Sequence, residues 1–357
     1  MINYVAHWDW ILVRSRTSVV KNIKTFQFRA ICPNNNPVIQ DSFDDTIDWK
    51  IDRTKLIDIS GIINLRRILK SLENNEKFHI FTLKSGILFI IANSFLNKNF
   101  RSTLSITGLG FIFNKSVKSR LIRFFLKPYL IYFINKTFEN IIYQNEKDLK
   151  TFNKFCNYKS KTFIVESSGI DHNLFEIKKS FNSPLKVILV GRLLKDKGVF
   201  DYIQLIEKYN KSNISFFLAG ELDVGNPSSL TNKELDEIKN NPKLKYLGPI
   251  DPEKDLHNYD ILISLSKSEG FSRILLEAVY VGLFVMAISN SGTIYINQFS
   301  NSYLSDNWID ISEELKNLSN SKLKIDLSNR EFVLKNYSSE KVAKDFENIY
   351  IISNYDE

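Results

Sequence analysis

Two glutamates eight positions apart, Glu269 and Glu277, lie in the stretch Ser266-Lys267-Ser268-Glu269-Gly270-Phe271-Ser272-Arg273-Ile274-Leu275-Leu276-Glu277-Ala278. The apolar run Ile261-Leu262-Ile263-Ser264-Leu265 just ahead has the composition of a buried parallel strand. Ser272 is a good N-cap residue before Ile274, Leu275 and Leu276, so the spacing predicts strand, short glycine-containing loop, helix. Such a turn aims backbone N–H groups and a positive helix end at whatever lies above the sheet, usually a phosphate or another anion. Glu269 falls in the loop and Glu277 about a turn and a half into the helix. A carboxylate is a poor phosphate ligand and a good partner for sugar hydroxyls. A phosphate site flanked by two glutamates therefore predicts a sugar nucleotide.

The run Leu185–Val190 reads as a second buried strand, followed by Gly191-Arg192-Leu193-Leu194-Lys195-Asp196-Lys197-Gly198. Arg192 and Lys197 thus fall at the carboxyl end of a strand, where open α/β sheets bind their ligands. An Arg and a Lys there can neutralise a diphosphate and stabilise it as a leaving group, which is electrostatic catalysis aimed at charge as it develops. Taken alone, the two are as well explained as exposed loop charges. Beside Glu269 and Glu277 they read as the phosphate half of one site.

The elements that must position these groups form a regular pattern. Strand-like runs at 185–190, 214–219, 244–247, 261–265 and 283–288 alternate with helical stretches at 199–209, 232–240, 252–258 and 272–281. That alternation gives a doubly wound parallel sheet. The first half reads similarly, with strands at 2–6, 25–31, 56–59, 78–82 and 102–106, helices at 10–22, 63–72, 86–96 and 116–138, and an acidic loop at 41–52. Segments 167–169 and 180–184 mark a linker, and 338–353 read as a terminal helix. The predicted fold class is α/β, with two Rossmann-like domains facing across a cleft. Domain one spans 1–180 and domain two 181–337; the C-terminal helix, 338–357, returns toward the first.

Composition excludes several classes. Cys32 and Cys156 are far apart and lack a partner motif, which argues against a disulfide framework or a zinc site. His7, His79, His172 and His257 show no metal-ligand spacing. The first residues lack the basic region and cleavage site of a signal peptide, and the longest apolar stretch, 86–96, is too short to span a bilayer. The expected location is cytoplasmic. Charge is divided unequally: residues 1–180 carry 28 Lys and Arg against 15 Asp and Glu, while 181–357 carry 20 against 25. No acidic residue occurs between Glu76 and Glu139. Within that stretch, 115–136 combines Lys118, Arg120, Arg123 and Lys127 with Leu121, Phe124, Phe125, Leu126, Tyr129 and Tyr132. A basic amphipathic helix with aromatics is the pattern of contact with an anionic membrane surface, here the inner face of the cytoplasmic membrane. Nucleic acid also attracts such charge, but no aromatic-basic RNA motif or helix-turn-helix is present, so it is not an expected partner.

Gly-Arg-Leu-x-x-x-Lys-Gly at 191–198 and Glu-Gly-Phe-Ser-x-x-x-x-Glu-Ala at 269–278 resemble the retaining glycosyltransferases of family 4, which have the GT-B fold. The stretch 218–229, with Tyr246-Leu247-Gly248, Ile106-Thr107-Gly108-Leu109-Gly110-Phe111, Tyr143-Gln144-Asn145 and Ser168-Gly169-Ile170-Asp171, is similar to one bacterial branch. That branch builds lipid-linked O-antigen, capsule and glycoprotein oligosaccharides and includes undecaprenyl-diphosphate-linked N-acetylgalactosaminyl- and galactosyltransferases.

The resemblance implies transfer of a hexose or N-acetylhexosamine from a UDP-sugar (GDP is the other candidate nucleotide) to a lipid-diphosphate-linked saccharide, with retention and no metal or other cofactor. Arg192 and Lys197 would hold the diphosphate and Glu269 the donor sugar. Gly191, Gly220, Leu247 and the amides of Gly270, Phe271 and Ser272 would line the donor, and Glu277 would grip the ribose. On the acceptor side the resemblance points to Thr107 and Gly108, and the position after the first strand to His7 and Arg16. The sequence departs from the family pattern in having Thr107 where many members have histidine. It also has Tyr295 three residues after Gly292, where a glutamate is usual. A same-fold UDP-sugar epimerase and a non-catalytic sugar-nucleotide-binding scaffold are the alternative functions.

Overall fold

The computed structural model describes residues 1–352 except 56, 95, 97, 111, 112, 114–116, 210–212 and 319–322, and within 117–126 it leaves out the side chains of 117–119, 122, 125 and 126. The chain divides into two compact units, Met1–Gly169 with Ser339–Glu357, and Ile170–Ser338.

The first unit is built on a seven-stranded sheet: β1 (Ile2–Val5), β2 (Phe28–Cys32), β3 (Asp45–Asp48), β4 (Lys77–Phe81), β5 (Arg101–Ile106), β6 (Asn140–Tyr143) and β7 (Lys161–Ile164). Its order is β3-β2-β1-β4-β5-β6-β7, with every neighbouring pair parallel. The second unit has six parallel strands: β8 (Leu185–Val190), β9 (Ile214–Ala219), β10 (Leu244–Gly248), β11 (Ile261–Ser264), β12 (Phe284–Ile288) and β13 (Ser302–Ser305). They run in the order β10-β9-β8-β11-β12-β13. Both sheets therefore reverse their winding once, between β1 and β4 and between β8 and β11. Ligands of open α/β sheets bind outside the carboxyl ends of the strands at such switch points.

Two readings of the first half are corrected. The acidic loop at 41–52 contains the edge strand β3, in which Asp45 and Asp48 are exposed and Thr46 and Ile47 half-buried. Charges on an edge strand block further pairing, and they also hide the strand from a pattern reader. Asp45 is held by Arg29 Nε at 2.6 Å. The predicted strand at 56–59 is not one: Ile59 opens the helix Ile59–Ser71, and Ile57 and Ile59 are exposed, while residue 56 lies outside the described residues.

The division between units falls at Gly169/Ile170 rather than at 180. Ile170 and Phe175 pack into the second unit's core with Tyr280 and Val333. Lys178 Nζ sits 2.7 Å from Asp260 Oδ1, and both side chains are fully buried. A buried ion pair held between 178 and the end of the loop before β11 ties this segment to the second unit.

The C-terminal helix, Ser339–Ile352, is part of the first unit. Val342, Ala343, Phe346, Ile349 and Tyr350 join the cluster of Ile2, Tyr4, Leu12, Val19 and Phe28. A buried polar chain fixes it there. Tyr350 Oη lies 2.5 Å from His79 Nδ1 and 2.8 Å from Tyr4 Oη, and His79 Nε2 is 2.6 Å from Ser105 Oγ. Burial, with the nearby Arg16 charge second, keeps the His79 imidazole neutral well below its ordinary pH range.

The unfolded imidazole titrates near pH ~6.5. Protons therefore favour the unfolded chain: the His79 contribution is intact above that pH and falls below it, by about 1.4 kcal/mol per pH unit. Melting temperatures measured between about pH 8 and about pH 5 should be flat at first and then decline. His79→Gln should start lower and decline less. A decline as steep in the variant as in the parent would remove His79 as the cause.

Candidate functional site

The second unit's switch point gathers the residues singled out in the sequence. The loop after β8 brings Lys197 and the loop after β11 brings Glu269, and Lys197 Nζ donates to Glu269 Oε1 across the two strands. Both side chains are about one-fifth exposed, 24% and 19%, so the pair is reachable from solvent yet poorly hydrated. Arg192, on the same loop as Lys197, donates through Nη1 to Asp223 Oδ2 at 2.5 Å. Asp223 is buried and lies in the loop after β9, where Asn226 Nδ2 also donates to its Oδ2 at 3.0 Å. Glu277 is buried on the helix Arg273–Val281, and its Oε1 accepts from Arg273 Nε at 2.7 Å.

Asp223 and Arg273 were not picked out from the sequence. Arg273 and Glu277 have the i, i+4 spacing that signals a helical pair. Asp223 had only its place in the loop after β9 to betray it, because its partner is 31 positions away.

Backbone packing determines where these charges sit. Gly220 ends β9 with φ +146°, and a Cβ there would lie 1.8 Å from the Gly191 carbonyl oxygen. Gly191 is different: an added Cβ would meet nothing within 4 Å, so this glycine leaves open space above β8. Gly198 has φ +76° and would place a Cβ 2.4 Å from the Leu265 carbonyl oxygen. The loop after β8 therefore lies directly on the end of β11.

The Glu269 loop is clasped from its other side. Asn290 Nδ2 donates to Ser266 O at 2.9 Å, Ser291 Oγ to Glu269 O at 3.2 Å, and Tyr295 Oη to Ser272 O at 2.6 Å. Tyr295 stacks on Phe271 at 4.2 Å, and burial pushes its hydroxyl pKa far up, so it stays a neutral donor. Tyr295 is thus a clamp on the loop.

Two expectations about this turn change. The Ser272 N–H donates to Gly292 O at 2.8 Å, so that amide is committed within the protein and does not point to a ligand. Ser272 stands at the N-cap position, but its hydroxyl makes no cap hydrogen bond and is buried without a partner among the described residues. A buried polar atom left unsatisfied costs roughly 1–3 kcal/mol. Leu247 occupies a bulge, since Tyr246 pairs with Leu218 and Gly248 with Ala219. Its peptide is thereby set outside the regular β10–β9 register.

On the first unit, His7 follows β1 and meets the start of the helix Leu83–Asn93 across the switch point. Its Nδ1 lies 2.8 Å from Ser85 Oγ and 3.3 Å from Thr82 Oγ1, and its N–H donates to Ser85 Oγ at 3.1 Å. Thr82 caps the helix with φ +78° and ψ 148°, a region that β-branched residues avoid at a cost of about 1–3 kcal/mol. Burial, then Lys84 and Arg53, hold the His7 pKa down at about 3. Thr107 and Gly108 follow β5, one strand further along the same end of the sheet.

Arg16 is placed otherwise than expected. It is 2% exposed, with its guanidinium carbon 4.6 Å above the Phe81 ring and 5.3 Å above Phe346. A cation stacked between two core rings braces the C-terminal helix and presents nothing to an acceptor.

The helix Val117–Thr137 buries Leu130 and Ile134 in the core. Its outer face exposes Leu121, Phe124, Ile131 and Tyr132 beside the exposed Arg120, Lys127 and Lys136. Residue 115 and the side chains of 118, 125 and 126, which belong to the same predicted surface, lie outside the described residues. Among the described residues no helix is long and apolar enough to cross a membrane.

The two glycines separate steric need from open space. Gly220→Ala should destabilise the second unit by about 2–4 kcal/mol, and Gly191→Ala should change stability by less than about 0.5 kcal/mol. Urea unfolding of the two variants checks this. Equal midpoints would show that the Gly220–Gly191 approach is not a constraint.

Comparison with known proteins agrees with this geometry. Residues 171–330 match the family model described as Glycosyl transferases group 1. No curated protein matches the sequence. Among solved structures, the chain is similar to a sucrose-phosphate synthase from Thermosynechococcus elongatus, with a TM-score of 0.77 at 14% identity over 98% of each chain. It is also similar to HepE of Anabaena in complex with UDP and glucose, with a TM-score of 0.73 at 13% identity over 98% of each chain. A glycosyltransferase from Rickettsia africae gives 0.69 at 14% identity over 100% of this chain and 99% of that one. At these identities the likeness shows the fold, which is α/β of the GT-B class. Within it, residues 171–330 are similar to the group 1 glycosyl transferases.

Proposed function

We propose that this protein moves a hexose or N-acetylhexosamine from a UDP-sugar to a lipid-diphosphate-linked saccharide, with retention of anomeric configuration, in bacterial surface-polysaccharide assembly. The observation that carries the donor side is the Lys197–Glu269 pair at the switch point of a unit similar to the group 1 glycosyl transferases. HepE, similar in fold, has been solved with UDP and glucose and with UDP-glucose, which supports UDP as the nucleotide here.

In this reading the donor diphosphate takes Lys197 from Glu269, and the freed carboxylate accepts from hydroxyls of the sugar. Arg192, steadied by Asp223, holds the other side of the diphosphate, and the unsatisfied Ser272 hydroxyl at the helix N-terminus donates to a phosphate oxygen. The peptide of Leu247 borders the base and Glu277 the ribose. The acceptor oxygen forms a bond to the anomeric carbon as the bond to the diphosphate oxygen breaks. The electron pair leaves with UDP, and the acceptor proton passes to the departing phosphate on the same face. Arg192, Lys197 and the helix end supply the charge neutralisation, with no metal assigned. The first unit takes the acceptor: His7, kept neutral and oriented by Ser85, meets a hydroxyl, with Thr107 and Gly108 alongside. Arg16 is left out of this set because its guanidinium is enclosed by the rings of Phe81 and Phe346.

The outer face of Val117–Thr137 supports peripheral contact with the inner face of the cytoplasmic membrane. Exposed aromatics enter the headgroup region, and the basic residues meet anionic lipid.

Two experiments test these assignments. Lys197→Ala should lower sugar transfer from UDP-sugars by about 100-fold or more. The melting temperature should hardly move, because a part-exposed ion pair contributes little to stability. Undiminished turnover would overturn the diphosphate role. Sedimentation with vesicles should show binding to anionic lipid that weakens with salt and is reduced by Phe124→Ser. Equal binding to neutral and anionic vesicles would overturn the membrane assignment.

A further inference from the structure

We propose that the segment 57–63 is a second bilayer contact, so that the first unit meets an anionic membrane with a rim of two helix starts and not with the helix Val117–Thr137 alone. This rests on the membrane reading of that helix and can fail while that reading stands.

Ile57, Ile59 and Ile63 are 54%, 71% and 47% exposed. A hydrophobic staple would account for Ile57, which precedes the N-cap Asp58, beside the half-buried Ile62. It leaves Ile59 and Ile63 unexplained. These two lie one turn apart on the outward side of the helix Ile59–Ser71, whose other side buries Leu65, Ile68 and Leu69. Single exposed apolar residues are ordinary, whereas a contiguous group marks an interaction surface. The segment is also tied down. Lys84 Nζ donates to Arg53 O and to Lys55 O at 2.7 Å each, the Asp52 N–H donates to Asp58 Oδ2 at 2.8 Å, and Trp49 Nε1 donates to Gly61 O at 2.8 Å. Apolar groups carried on a fixed support give up little freedom when they are covered.

Place, charge and a neighbouring aromatic identify what covers them as a bilayer. The helices Ile59–Ser71, Leu83–Asn93 and Val117–Thr137 pack side by side and bury Leu65, Leu88 and Leu130 in one cluster, on one face of the sheet. Each begins beyond the carboxyl end of a parallel strand, so their opening turns share one edge of the unit. Ile59 and Ile63 on the first helix, and Leu121 and Phe124 on the third, are therefore exposed at the same rim. Behind Ile63 the outward stripe continues to the exposed Arg67 and Lys70. At 1.5 Å per residue these cations trail the apolar tip by about 6 Å and about 10 Å. That is headgroup depth when the tip enters the acyl boundary. The exposed Asp52 is matched by Lys55 at 3.6 Å. Trp10, half-exposed, stacks on Trp8 at 5.2 Å, and Arg53 lies 4.3 Å over Trp8, which sets an interfacial aromatic beside the same segment.

Sedimentation of the full chain with vesicles of phosphatidylcholine, with and without phosphatidylglycerol, tests this. Ile59→Ser combined with Ile63→Ser should lower binding to the anionic vesicles by about tenfold or more, while the melting temperature hardly moves. Both cysteines of the chain are buried, so a polarity-sensitive thiol label on Ile59→Cys reports that position. Its emission should shift to the blue on anionic vesicles and be quenched by spin-labelled lipid. A doubly substituted variant that binds like the parent while Phe124→Ser does not would overturn the proposal and leave the helix Val117–Thr137 as the contact. A label that stays in water while the protein sediments would do the same. Self-association without lipid that the double variant loses would give the face to a second copy of the chain and also overturn the proposal. Failure of the parent to bind anionic vesicles would overturn both membrane readings.

Discussion

A site for a doubly charged ligand has to keep its cations close together in poorly hydrated surroundings before that ligand arrives. Here the solution is the contact between Lys197 and Glu269, made across the switch point between β8 and β11. Like charges gathered at the end of a sheet repel, and a carboxylate beside each part-exposed cation offsets that repulsion. Arg192 meets Asp223 and Arg273 meets Glu277 on the same principle. Lys197, Arg192 and Arg273 thus each have a carboxylate partner, which comes from a neighbouring loop or from the same helix. Binding an anion becomes an exchange of partners and does not require charging an empty cavity. Such an exchange keeps affinity moderate, which would suit the release of a diphosphate product in the proposed reaction.

The exchange requires loops that hold their positions when the pairs open. The backbone supplies this independently of charge. Gly220 lies against the carbonyl of Gly191, Gly198 against that of Leu265, and Gly292 against that of Glu269, each closer than any side chain would permit. Tyr295 adds a hydrogen bond and a stacked ring to the same loop. The loop carrying Glu269 is thus pinned at its carbonyls while its side chain stays movable. A position pinned through its backbone can change ionic partner without changing place.

Much of the second unit was legible because buried parallel strands are continuous apolar runs, and β8 and β9 fall where those runs do. Lys197 and Glu269 were legible as residue types at strand ends, though not as a pair, because 72 positions separate them. The partners Asp223, Asn290 and Ser85 left no local signal, since what defines each is a contact made by the fold. Arg16 shows the opposite error. Its place after the first strand suggested an exposed ligand, while the C-terminal helix, more than 300 positions away, supplies the ring of Phe346 that covers it. The edge strand β3 was missed for a third reason: its outward charges protect the sheet edge and erase the apolar pattern that would reveal it.

The two switch points differ in a way that bears on which reactant the proposed reaction gives to each unit. At the second, the cross-strand contact is ionic, and an anion can compete for it. At the first, the contact joins His7 to Ser85 and Thr82, groups that are neutral at physiological pH, and His7 is kept so by burial and by Lys84 and Arg53 nearby. A neutral hydrogen-bonding cluster discriminates hydroxyls poorly by charge but well by position, and the backbone of Thr82 is held in a strained conformation at that point. Strain of that kind persists only where the surrounding structure over-determines it, and the hydroxyl of Thr82 both caps the helix Leu83–Asn93 and faces the histidine. The cations around the cluster would suit a hydroxylated molecule that also carries phosphate. In the proposed reaction a phosphate-bearing saccharide acceptor meets that description, which is why the reading gives the acceptor to the first unit.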